Sequence, residues 1–170
     1  MPAGRTHLKI ELFLLPLLLG AFWYWMGPYL GPQYQWHGLL LFGLAYLFSS
    51  LMFSPDLDLR HNSSRSNWGV LGFVWIPYTK IFKHRGMSHS LVLGTFTRLA
   101  YLGLVVTTVV FAVWAIERYL LGAEFYLPQI QKIQIDLFVY YWLGILVFGL
   151  WLPNAIHIIT DHVHSAWKRR

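Results

Sequence analysis

Seven side chains able to bind a metal ion lie scattered along a chain that is otherwise poor in charge: His7, Asp56, Asp58, His84, His89, His157 and Asp161. Their local spacing has a physical logic. His157 and Asp161, in "HIITD", are four apart and share a helix face, with His164 farther along the same face. Asp56 and Asp58, in "FSPDLDLRHN", flank a position after Pro55 where an extended backbone would point both carboxylates the same way. His84 and His89 bracket "RGMS", where Gly86 lets the backbone turn. Imidazoles combined with carboxylates suit a divalent metal, zinc foremost, with manganese and iron as alternatives. Seven donors exceed the four of one tetrahedral zinc, so the set calls for one ion with supporting groups or for two ions. An ion held this way lowers the pKa of bound water from about 15.7 to about 7, the chemistry of hydrolysis at neutral pH. Asp58 is a candidate general base in place of a ligand. Arg85 is a candidate catalytic and substrate-binding group, and Arg98 a second candidate contact for a phosphate, whose geometry guanidinium matches.

Positioning such groups requires elements far apart in sequence, and the composition says which kind. Of 170 residues, 56% are hydrophobic and only 12% charged, against about 25% charged in soluble domains. No Lys, Arg, Asp or Glu occurs in 12–55, 99–116 or 137–160. Those runs are apolar on all sides and long enough for membrane crossings of about 20 residues. The expectation is an all-α, four-helix transmembrane protein forming one integral domain over 1–170, with spans near 10–26, 36–53, 90–115 and 137–160. The segment "WGVLGFVWIPYTKIF", from Trp68 to Phe82, is apolar but broken by Gly69, Gly72 and Pro77. It reads as an interfacial piece at headgroup level, where Trp and Tyr concentrate. The first apolar run lacks a small-residue cleavage site and reads as a retained span.

Charge sets the orientation. With four crossings, eleven of the 13 Lys and Arg fall on one side, and only Arg118 and Lys132 on the other. That places both termini in the cytoplasm of a bacterial inner membrane, and it brings all seven candidate ligands to the cytoplasmic face. The net charge of +6 fits a membrane surface better than nucleic acid, which is not expected as a partner. The absence of cysteine excludes disulfides and thiolate metal sites. The expected partners are membrane lipids and a small-molecule or lipid substrate, with oligomeric state left open.

The segments "GRTH", "SPDLDL", "WGVLGFVWIPY", "HRGMSH" and "GTFTRLAYL" make the chain resemble a family of bacterial metal-binding membrane proteins over most of its length. "PDLD", "HRGMSHS" and "HIITD" resemble, more distantly, the LexA-regulated inner-membrane metal-dependent hydrolases. The resemblance implies a multi-pass helical protein with a metal site and hydrolase activity. It carries the motif positions onto His7, Asp56, Asp58, His84, His89, His157 and Asp161, with Leu8 where an acidic residue follows "GRTH" in the pattern.

The function that follows is a membrane metal-dependent hydrolase acting on a phosphoester or lipid. A non-enzymatic protein with a structural or sensory metal is the alternative. A transporter ranks last, because transport sites sit near the bilayer midplane and these ligands sit at span ends. His37, His61, His162 and His164 are read as ordinary histidines of loops and helix ends. Arg98 also has the simpler reading of a snorkelling side chain.

Overall fold

The computed structural model describes residues 4–59, 62–82, 86–120, 122 and 137–168. Seven α-helices account for most of these: α1 (Gly4–Trp25), α2 (Gly27–Leu30), α3 (Pro32–Met52), α4 (Ser63–Asn67), α5 (Ile76–Ile81), α6 (Leu93–Leu120) and α7 (Leu137–Trp167). Short 3-10 turns cover Pro55–Asp58, Gly69–Trp75 and Met87–His89. Four helices are long and apolar enough to cross a membrane, over Thr6–Trp25, Pro32–Asp58, Leu93–Leu120 and Val139–Trp167.

The helix limits follow local chemistry more closely than charge. α1 begins at Gly4 rather than near residue 10, because Lys9 and Glu11 bound an apolar run without ending a helix. α3 starts at Pro32, where a fixed φ suits the first helical position, after Gly31 at φ 78°. α6 starts at Leu93, three residues later than expected, because Met87–His89 form their own turn and the Ser90 hydroxyl accepts from the Leu93 N–H. It continues to Leu120 through Glu117 and Arg118.

The long helices alternate in direction. Phe22 of α1 packs with Phe42 and Tyr46 of α3 and Ile145 of α7 in one core cluster, while at the other end of α1, His7 meets Asp161 of α7. α1 therefore runs antiparallel to α7, and α3 runs alongside α7. Among the described residues, the α3–α7 pair has the most extensive contact. Gly149 permits it, since a Cβ there would lie 2.8 Å from the Ala45 Cβ and 3.0 Å from the Phe42 carbonyl oxygen. Asn154 fastens a third helix: its Nδ2 donates to Ser49 of α3 (3.1 Å) and Thr95 of α6 (3.2 Å). Beyond Gly94, Thr95 and Arg98, α6 buries almost nothing.

The segment between α3 and α6 closes one end of the bundle. Trp75 and Tyr78 are buried with Phe53 and Leu57 in a second cluster, while Val70, Phe73 and Ile81 of the same segment stay exposed. The interfacial piece read from sequence thus has one face on the protein and one apolar face open. Trp68 Nε1 and Asn67 Nδ2 each donate, at 2.7 Å, to carbonyls of Met52 and Leu51 in the last turn of α3. Asn62 ties the start of α4 to the Pro55–Asp58 turn, donating to the carbonyls of Asp56 and Leu59 and accepting from the Arg65 N–H.

Candidate metal centre

Four separated stretches deliver their polar side chains to this closed end. α1 brings His7 and Glu11, the turn after α3 brings Asp56 and Asp58, the turn before α6 brings His89, and α7 brings His157 and Asp161. α1 is held at this level by the buried Tyr46 hydroxyl, which donates to the Glu11 carbonyl oxygen at 2.9 Å.

The "PDLD" stretch is a 3-10 turn, not the extended segment expected. Ser54 starts it by accepting the Asp56 N–H on its hydroxyl, and Pro55 supplies the fixed φ of the first position. Three residues per turn set side chains two apart about 120° from each other. Asp56 and Asp58 still converge, because they approach opposite edges of one ring. His89 Nδ1 lies 3.4 Å from Asp58 Oδ2, and His89 Nε2 lies 3.8 Å from Asp56 Oδ1.

His157 repeats the arrangement. Its Nδ1 lies 3.4 Å from Glu11 Oε1 and its Nε2 3.7 Å from Asp56 Oδ2. Asp56 therefore turns one oxygen towards Nε2 of each histidine, while a buried carboxylate stands behind each Nδ1: Asp58 behind His89 and Glu11 behind His157. A carboxylate behind a histidine fixes the ring's tautomer and leaves the lone pair on the opposite nitrogen. His7 stacks on His157, with ring centroids 3.9 Å apart and planes 21° from parallel. His7 Nε2 comes within 3.0 Å of Asp161 Oδ1, yet that oxygen has no hydrogen-bond partner.

These groups fit a divalent cation. Asp56, His89 and His157 place one ligand atom each within 4.8 Å of one another, and so do His7, His157 and Asp161. His7 Nδ1, His157 Nε2 and Asp161 Oδ1 are buried without hydrogen-bond partners, the state expected of donors that an ion satisfies. Glu11, Asp58 and Asp161 are buried, and Arg98 is the one buried Lys or Arg among the described residues. Buried carboxylates are costly without positive charge nearby, and an ion beside the histidines would supply it. The pocket beside it, lined by His7, Glu11, Ser50, Asp56 and His157, holds about 10 Å³, room for little more than one water or an ion.

The remaining candidates fall as follows. His84 and Arg85 lie outside the described residues. Arg98 is fully buried, with its guanidinium 5.5 Å over the Phe53 ring and Nη1 donating to the Ser88 carbonyl at 3.2 Å. His162 and His37 bond to carbonyls of their own helices, at Ile158 and Gln33. Glu11 also belongs to this cluster, and it is absent from the candidates read from the sequence. Its signal was present: His7 and Glu11 are four apart, the same spacing that joined His157 to Asp161.

A protein of Aquifex aeolicus (strain VF5), named as an uncharacterized protein, is 41% identical over 61 residues, or 36% of this chain. The chain spans only 43% of that relative's length. No solved structure matches the chain. The profile of one family matches residues 2–170, the whole length over which the histidines and carboxylates are gathered. With that match and a donor set fitted to a divalent ion, the chain belongs to the uncharacterized metal-binding protein family (DUF2227).

Proposed function

We propose that the protein is a metal-dependent hydrolase embedded in the bacterial inner membrane, with its centre at the cytoplasmic face and a phosphoester or lipid as substrate. The carrying observation is the pairing of Asp56 with Nε2 of both His89 and His157, each backed at Nδ1 by Asp58 or Glu11. Asp56, His89 and His157 would hold the ion, with zinc the first candidate. The ion would supply Lewis acidity at the scissile group and to water.

The rest is the work of the chain. Glu11 and Asp58 stand 3.4 Å from Nδ1 of His157 and of His89, where they would orient the two imidazoles for the ion. Asp56, the more exposed carboxylate at 20% of its side chain against 0% for Asp58, is the one that bulk solvent reaches. Asp58 therefore serves better as an orienting group than as a proton acceptor for substrate. Asp161 and His7 form the opposite wall, where a second ion or a proton acceptor would sit. The excess of Lys and Arg between the second and third apolar runs and near both ends of the sequence supports the cytoplasmic orientation.

The narrowness of the ion pocket favours a second reading, a structural or sensory metal closed to substrate. One experiment separates the two. The protein purified in detergent is analysed for bound metal, then assayed against a panel of phosphoesters, beside an Asp56→Ala, His89→Ala double variant. Metal and hydrolysis in wild type, both lost in the variant, support the hydrolase. Metal without turnover supports the closed site, and no metal in wild type removes both readings.

A further inference from the structure

We propose that the substrate is an anionic amphiphile of the phospholipid class, seated in a groove that opens beside the ion pocket. The fate of that lipid rests on the hydrolase reading, whereas its binding is a property of the groove alone. The groove holds about 1010 Å³ between α4 and the Gly69–Ile81 segment, and its lining includes Asn62, Arg65, Ser66, Phe73, Thr79 and Lys80. Ser63 lines both this groove and the ion pocket. Asn62 joins them a second time, since its Nδ2 donates to the backbone oxygen of Asp56 at 2.7 Å. The groove wall is thus bonded directly to the residue that offers both its oxygens to the histidines.

The charge of the groove selects an anion. Among the described residues, Arg65 and Lys80 line it and no carboxylate does. Arg65 is built in: its Nε donates to the Gly72 carbonyl at 2.9 Å, and a Cβ at Gly72 would lie 3.0 Å from the Arg65 carbonyl oxygen. Arg98, the buried cation, is wholly enclosed and donates to Ser88, so contact with a phosphate falls to the groove.

The surroundings select a lipid over a free phosphate. Val70 is 91% exposed, Ile81 66% and Phe73 62%, all on the segment that forms the groove wall. A run this apolar and this open is expected to contact acyl chains. Its height is right for a headgroup, because Asn67 and Trp68 bond to the last turn of α3, the end of a membrane-length helix. The cations would meet the headgroup there while the apolar side chains meet the tails.

Detergent-purified protein is titrated with dioctanoyl phosphatidic acid, dioctanoyl phosphatidylcholine and inorganic phosphate, each with and without added zinc, and bound metal is measured in parallel. Phosphatidic acid should bind tightest, with or without zinc. Lys80→Glu should weaken it about fivefold or more, Lys80→Gln should act in the same direction, and Lys80→Arg should restore it. Lys80 is exposed, so metal content and Tm should not change in these variants. Equal affinity in wild type and Lys80→Glu overturns the proposal, as does inorganic phosphate binding as tightly as the lipid. Lipid binding by a wild-type protein that holds no metal supports the groove and overturns the hydrolase reading alone.

Discussion

The carboxylate of Glu11 stands 3.4 Å from Nδ1 of His157, and both side chains are only 3% exposed. A buried acid in that position fixes which ring nitrogen carries the proton and which offers the lone pair. Glu11→Met keeps the bulk and removes the acceptor. Its expected effect is a loss of metal affinity of about 10- to 100-fold, measured by competition with a chelator. Glu11→Gln, which still presents a carbonyl oxygen, should recover much of it. Nitrogen NMR of the metal-loaded protein should report the Nδ1–H tautomer of His157 in wild type and its loss in Glu11→Met. Unchanged affinity and tautomer in that variant would show that Glu11 plays no part in orienting the ring.

Two groups of ligand atoms share His157, one with Asp56 and His89, the other with His7 and Asp161. A neutral imidazole has one lone pair, and Glu11 directs that of His157 to Nε2, the nitrogen facing Asp56. The tight ion should therefore belong to the first group. Asp56→Ala and His157→Ala should each abolish stoichiometric metal, whereas His7→Ala and Asp161→Asn should weaken it by about tenfold or less. Elemental analysis after gel filtration reads the difference. The reverse ranking would move the ion to the His7 side.

The four membrane-length helices were legible because long uncharged runs have few other physical uses. The gathering of His7, Asp56, His89, His157 and Asp161 followed from counting how many times the chain reverses. Three things were not legible. The "PDLD" conformation turned on one hydroxyl, Ser54 accepting the Asp56 N–H, which converted an extended guess into a 3-10 turn. The start of α6 turned in the same way on Ser90. Glu11 stands just before an uncharged run, and only the packing of α1 against α7 turns it inward to His157.

The ion should also hold the closed end together. Glu11, Asp58 and Asp161 are buried, and an ion beside them would offset the cost of burying their charge. Ligand free at about 100 times its dissociation constant adds about 2.7 kcal/mol to the folded state. Chelation should lower Tm, and added zinc should restore it. Acidification should release the ion as well, since ligating imidazoles and carboxylates must be deprotonated. The Asp56→Ala variant should show neither response to chelator. A Tm indifferent to chelator in wild type would mean that the carboxylates are compensated without a metal.

Gly94 is not a candidate ligand, yet the position of His89 depends on it. A Cβ at Gly94 would run into the Ser88 carbonyl oxygen and lie 3.1 Å from the Ser88 carbonyl carbon. That same oxygen accepts from Arg98 Nη1, and the Ser88 hydroxyl donates to the Pro55 carbonyl at 3.2 Å. The turn carrying His89 is thus clamped between the first turn of α6 and the turn carrying Asp56. The obstruction is backbone, which cannot swing aside as a side-chain tip can. Gly94→Ala must push the Met87–His89 turn outward, at a cost of about 1–3 kcal/mol. His89 Nε2 should then draw away from Asp56, and metal affinity should fall although every ligand is intact. Gly103→Ala, with nothing within 4 Å of the added Cβ on the same helix, is the control and should leave both Tm and metal content at wild-type values. Normal metal binding by Gly94→Ala would mean that the ion does not use His89.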